Sequence, residues 1–322
     1  MNIQKLFTLI LAAAFNAGFI SSGAEAAANT SKLVVYSFQK TASATLDTSK
    51  SYMQQFLPAE PSGQLVIPET NIVRYVSNKD VNTTFEHNTV TGDLSFHRNF
   101  SRYLGNFVPK LPTTDYALKV ANLFLEKNGL LPENPGELTV AHVGGLRTNA
   151  VLSTGKPGPV VDKLVTLTFS RELNGLPVIG AGSKMIINIG DAGEIISLTR
   201  RWRELDKPIG LLPSDILTET EAVDLAKRQI LSEFGDKSKF EIMQTQVAYF
   251  DNNGTTIQPV FAFQTKIQLA DYKLPPVEYV CVVPAMRKPI EKLNLTQIDP
   301  SALKLIMSGN TPVPAESGKT SD

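Results

Sequence analysis

Three stretches of this 322-residue chain carry residue types that could do chemistry. The first is "LPVIGAGSKMIINIGDAGEII", residues 176 to 196, where Gly180-Ala181-Gly182 follows a strand-like run. A dinucleotide site needs a strand, then Gly-x-Gly-x-x-Gly, then a helix whose N-terminus faces the pyrophosphate. Here Met185 stands at the third glycine position. Met185, Ile187 and Ile189 alternate with Ile186 and Asn188, the period of a strand. Asp191-Ala192-Gly193 then turns the chain. Gly180 and Gly182 are therefore read as a turn or bulge between strands, with no cofactor. The Walker-like triplet Gly318-Lys319-Thr320 fails as well, because Val313 stands where that loop's first glycine belongs.

The second stretch holds two of the three histidines, His87 and His97, on the arms of "TTFEHNTVTGDLSFHRNF"; His142 is the third. Alternation on both sides of Thr91-Gly92-Asp93 predicts a hairpin, with the two rings at roughly opposing positions. The expected role is that of exposed hairpin side chains. No His-Glu-x-x-His and no helical i, i+4 pair occurs, so no metal site is assigned. Gly-x-Ser-x-Gly is absent, and no catalytic residue is assigned. Cys281 is the sole cysteine. It cannot form an internal disulfide, and its apolar setting in "EYVCVVPA" predicts an inert buried thiol.

The third stretch is "GEIISLTRRWRELDK". Alternation places Leu198, Arg200 and the single tryptophan, Trp202, on one face, and Thr199, Arg201 and Arg203 on the other. Arg201, Trp202 and Arg203 are candidate partner-docking residues, since Trp and Arg anchor many interfaces. The competing reading packs the tryptophan in the core and leaves the arginines solvated.

The elements that must position these residues are legible. "KLVVYSFQ" and "NIVRYVS" read as strands, and residues 40–70 as loop with one short helix near Tyr52–Phe56. "TTDYALKVANLFLEKNGLLP" reads as a helix capped by Thr114, with Ala117, Val120, Ala121, Phe124 and Leu125 as its apolar stripe and Gly129 as its stop. "TETEAVDLAKRQILSEFG" reads as a second helix. Thr218 and Glu221 have capping-box spacing, and Ala222, Leu225, Ala226 and Ile230 form the stripe. The two helices align at an offset of 105 residues (Ala117 on Ala222, Val120 on Leu225, Ala121 on Ala226, Leu125 on Ile230), and each is followed by strand-like runs. This predicts an internal duplication. The expected fold class is α+β, with tandem helix-on-antiparallel-sheet units behind a β-rich N-terminal segment.

The first 26 residues fit a secretory signal: Lys5, an apolar run from Leu6 to Ile20, and Ala24-Glu25-Ala26 before the cut. Localisation is therefore expected to be secreted or periplasmic, and no later stretch is apolar enough to span a bilayer. The chain divides into the signal (1–26), a β-rich segment (27–108), a first α+β unit (109–208), a second (209–306) and a disordered tail (307–322). Lys plus Arg number 31 and Asp plus Glu 31, so no net field draws in nucleic acid.

"FSRELNGLPVIGAGSKMIINIGDAGEIISL" resembles the propeptides of thermolysin-like secreted metalloproteases. Phe169, Asn174, Gly175, Pro177, Val178, Gly180, Asp191 and Gly193 match that pattern. Residues 219–235 and "QPVFAFQ" (258–264) resemble the PepSY unit that follows in such propeptides. The resemblance covers about residues 110–290 and assigns Gly175, Pro177, Gly180, Gly182, Asp191 and Gly193 to structural turns. The chain ends where a catalytic domain would begin. The resemblance thus implies a non-enzymatic binding module that inhibits or chaperones a protease. PepSY-like pairs also occur in cell-envelope regulators, so a scaffold for another periplasmic protein is the alternative. A hydrolase with an unrecognised site is a third; it predicts a pocket joining His87 or His97 to carboxylates.

Overall fold

The computed structural model describes residues 33–40, 43–60, 65–151, 157–269, 276–293 and 295. The expected signal (1–26) and tail (307–322) lie outside these residues. The chain is mixed α and β, with few helices and one large, mostly antiparallel sheet. Among the described residues, no helix is long and apolar enough to cross a membrane.

The first core forms around α3 (Thr114–Lys127). Thr113, one residue before the expected cap, accepts a hydrogen bond from the Tyr116 N–H, so Thr114 is the first helical residue. Gly129 ends the helix with a positive φ of 63°. Ala117, Ala121 and Leu125 are fully buried, with Val120 and Phe124 packed beside them. This face meets β7 (Pro157–Leu173), β9 (Lys184–Ile189) and β10 (Ile195–Arg201) through Leu167, Phe169, Met185, Ile187, Ile189 and Leu198. The sheet continues outward from β10 to β5 (Leu94–His97), β4 (Thr84–Asn88), β3 (Ile72–Val76) and β2 (Val66–Glu69). On its other side β7 carries β6 (Leu138–Val151). The expected short helix is longer, α1 (Leu46–Phe56), because Thr45 caps it at Thr48. Its Met53 and Phe56 join the same core, Phe56 stacking on Phe96 at 4.9 Å. A five-residue helix, α2 (Phe100–Leu104), follows β5.

The second core forms around α4 (Glu219–Phe234), whose Thr218–Glu221 capping box is present as expected. Ala222, Ala226 and Ile230 are fully buried against β12 (Lys239–Phe250), β13 (Thr256–Gln268) and β14 (Val277–Pro284). The first strand, β1 (Val34–Ser37), pairs with β13 and with β11 (Ile209–Gly210), so it serves the second core while its neighbours in sequence serve the first. The two helices hold equivalent places: Ala117, Ala121 and Leu125 in one core, Ala222, Ala226 and Ile230 in the other. Alanine at two of the three positions lets each helix axis approach its sheet closely.

Truncating Leu125 to alanine leaves a closed void and should cost about 2–5 kcal/mol of unfolding free energy. Leu123→Ala on the exposed face (64% exposed) should change it by less than about 0.5 kcal/mol. Urea denaturation of both variants checks the assignment of the faces.

Candidate functional site

One short strand joins the two cores. β7 reverses through Asn174-Gly175, both with positive φ (53° and 76°), a two-residue hairpin of the type favoured by Asn-Gly. The return strand, β8 (Leu176–Ile179), pairs antiparallel with β7, Pro177 opposite Glu172. It also pairs in parallel with the end of β12, Val178 opposite Tyr249 and Ile179 opposite Phe250.

The Gly180-Ala181-Gly182 loop follows at once, and Asp251 lies across it. The Asp251 N–H donates to the Ile179 carbonyl, and its own carbonyl accepts from the Gly182 N–H, each at 2.9 Å. Gly180 has φ +110°, and a Cβ there would lie 2.1 Å from the Asp251 carbonyl oxygen. A Cβ on Gly182 would lie 2.3 Å from the Asp251 carboxyl carbon. The two glycines are thus required by an aspartate, one through backbone conformation and space and the other through space alone. β9 follows the loop, so no helix dipole stands behind it.

The Asp251 carboxylate is 2% exposed and well partnered. Oδ2 accepts from the Ser183 hydroxyl at 2.7 Å; Oδ1 accepts from the Asn253 N–H at 3.0 Å and lies 3.5 Å from the Arg203 guanidinium. Arg203 also donates to the Gly254 carbonyl and lies over the Phe38 ring, its Cζ 3.4 Å from the centroid. Arg171, fully buried, donates to the Ser183 hydroxyl and the Arg203 carbonyl, pairs with Glu137 at 3.0 Å and sits 4.1 Å above the Trp202 ring. Burial lowers the Arg171 pKa, partly opposed by Glu137, Glu204 and Asp251. A buried charge this well paired holds structure together, and removing one partner strands the other.

The structure therefore brings together residues the sequence offered as two separate groups. Gly180 and Gly182, read as turn residues, and Arg203, read as a docking residue, meet at Asp251. The docking expectation for Trp202 is corrected: its ring is 2% exposed and covered by Arg171, so it is a core side chain. Arg203 is held inward by Phe38 and Asp251. Arg201 stands opposite Lys184 on β9, two like charges eased by nearby Asp93 and Asp251. Burial lowers the Lys184 amine to about 8; Asp251 opposes that shift and Arg201 adds to it. Nothing in the one-dimensional pattern marked Arg171, Ser183 or Asp251, because their partners lie 12 to 68 residues away.

Asp191 and Gly193 hold a separate turn. Asp191 accepts from the Lys110 N–H and pairs with Arg102, while Gly193 takes φ +87° beside Tyr116. His87 and His97 are not opposed. His87 pairs with Leu94, His97 with Thr84, and the rings point to opposite faces of the sheet. Nor is His87 an exposed hairpin residue, since it is 2% exposed. Its Nδ1 lies 2.9 Å from the Ser49 hydroxyl, and its ring meets the edge of Tyr52. Ser49 is fully buried, so this serine–histidine contact offers no access to a substrate. Cys281 is buried, and burial pushes its thiol up to about 12. No cluster of metal-binding side chains occurs among the described residues.

One long backbone edge is open. Among the described residues β6 pairs with β7 alone, over Leu138–Val151, and exposes Val140 and Val143. No protein-family model matches the chain, and no curated protein matches it either. Among solved structures, an uncharacterized protein from Eubacterium rectale is similar at 10% identity and a TM-score of 0.45, covering 82% of this chain and 86% of that one. The Bacillus megaterium YpeB C-terminal domain is similar at 13% identity and a TM-score of 0.36, covering 75% and 99%. Neither likeness is close enough to assign a family or a function.

Gly182→Ala should lose about 2–4 kcal/mol of stability, since the hydrogen-bonded Asp251 carboxylate must shift, and Gly180→Val more than about 3 kcal/mol, since the Asp251 backbone cannot give way. Gly210→Ala, with nothing within 4 Å of the new Cβ, should stay within about 0.5 kcal/mol. Thermal melts of the three variants separate a packed turn from a ligand loop.

Burial holds the His87 and His97 pKa values below the ordinary 6.5. The unfolded chain therefore takes up these protons first. Their contribution is intact above about pH 6.5 and is lost as pH falls below it. The urea midpoint should drop between pH 7 and 5, with a shallower slope in His87→Gln.

Proposed function

We propose that this chain is a secreted or periplasmic binding module, without catalysis of its own, that inhibits or chaperones a protease. The partner would add an extended segment to the outer edge of β6. The observation that carries this reading is the free edge itself: a 14-residue strand paired on one side among the described residues, with exposed valines along it. Such an edge gives affinity through main-chain hydrogen bonds and selectivity through alternate side chains.

Two further features support it. The stretch from Phe169 to Leu198 resembles metalloprotease propeptides, and its Asn174-Gly175 turn, β8 and Gly180 hold the strand that joins the two cores. The matching places of Ala117, Ala121 and Leu125 and of Ala222, Ala226 and Ile230 favour a duplicated PepSY-like unit. The apolar run before Ala26 supports export.

Successive residues of a strand aim their N–H groups at opposite edges. Of Val143→Pro and Gly144→Pro, one therefore removes an outward donor and the other breaks the β6–β7 ladder. The immobilised protein should retain a protease from the source's secreted or periplasmic fraction and lower its activity. The proline variant that keeps the wild-type melting temperature should lose that capture. Capture unchanged in both variants, or retention of proteins without proteolytic activity alone, counts against this function.

A further inference from the structure

The sheet of the first core has a second face, turned away from α1 and α3, and its composition is unusual. Register puts Thr166, Asn188, Ser197, His97 and Thr84 side by side in one row across β7, β9, β10, β5 and β4. The next row on the same face is Thr168, Ile186, Thr199, Ser95 and Glu86. From β7 to β5 these two rows contain no Lys, Arg, Asp or Glu. Ile186 is their only aliphatic side chain.

A sheet face that merely meets solvent commonly carries long charged side chains. This one carries short hydroxyl and amide groups, each able to donate and accept. They are already ordered: the Thr166 hydroxyl donates to Asn188 Oδ1 at 2.6 Å, and the Asn188 amide donates to the Ser197 hydroxyl at 2.7 Å. Ser197 is buried, and the other side chains of the two rows are half-buried. At one end Tyr103 and Phe100 of α2 pack on Leu164 and Ile196, and the His97 ring meets the Phe100 edge. At the other end lie Lys184 and Arg201, beside Asp93 and Asp251. The two rows span about 15 Å across the four strands and about 7 Å along them, from strand spacing and rise.

We propose that this face binds a neutral polyhydroxylated chain, a glycan. The choice of occupant follows from what the floor lacks and what it offers. An extended peptide needs a free backbone edge, and β7, β9, β10 and β5 are each paired on both sides here. An apolar ligand needs an apolar pocket, and nucleic acid needs a row of cations across the floor. Sugar hydroxyls match a flat array of neutral donors and acceptors, and Ile186 gives the apolar face of a ring one place to rest. This inference does not rest on the protease reading, which uses the edge of β6.

The test is titration of the full chain with cellohexaose, chitohexaose and maltohexaose, followed by calorimetry and by chemical-shift changes. At least one should saturate. Thr168→Val together with Thr199→Val removes two hydroxyls with little change of shape and should weaken that binding about tenfold or more. Should the double variant melt early, Ser95→Ala tests the same floor with a smaller change, and a severalfold weakening is expected. The stable β6 proline variant should bind the sugar as the wild type does. Failure of all three oligosaccharides to saturate overturns the proposal, as does binding that the floor variants leave unchanged.

Discussion

A buried aspartate sets the terms for the centre of this molecule. Asp251 leaves the end of β12 and enters the loop between β8 and β9, where its backbone and carboxylate are bonded on several sides. An ionised group removed from water is tolerated only with such partners. Its neighbours are constrained in turn. Two glycines give it room, Ser183 adopts a positive φ of 52° to reach it, and Arg203 is drawn inward over Phe38. Arg171 then fixes Ser183, the Arg203 carbonyl and Trp202 together. Much of the polar structure between the two cores follows from keeping one carboxylate solvated by protein.

The two cores themselves rest on ordinary apolar burial, each with one helix whose alanines allow close approach to a sheet. Their connection is less ordinary. β8 is four residues long, yet it joins the strands of the two cores into one sheet, antiparallel to β7 and parallel to β12. β1 adds a second tie, pairing with β13 while Phe38 bridges to Leu205 at the end of the first unit. Movement between the cores would have to break these backbone ladders and expose Asp251 together. The open edge of β6 belongs to a strand that takes no part in these ties.

Much of the secondary structure was legible in the sequence. Capping at Thr218, the stop at Gly129, the helical stripes and the Asp-Ala-Gly turn are all local signals, carried by residues within a few positions of one another. Rejection of a phosphate loop at Gly180 was equally local, since Met185, Ile187 and Ile189 showed the strand period. Local pattern misleads where tertiary packing competes with it. Residues 66–69 read as loop and form β2, because β3 supplies a partner. Alternation gave Trp202 a face without saying what lies above it, and Arg171 lies there. His87 looked like a hairpin residue at the surface until α1 folded over it.

The sequence by itself determined the element types, the turn positions, the inertness expected of Cys281 and the two equivalent helical stripes, because each depends on short-range periodicity, steric freedom or composition. Only the tertiary structure decided that Gly180 and Gly182 exist to admit Asp251, that β1 serves the far core, and that the Thr, Ser and Asn side chains of separate strands form one continuous floor. Those outcomes depend on strand order and register. Both are set by the burial of side chains distant in sequence, and one strand's alternation carries no information about which strand becomes its neighbour.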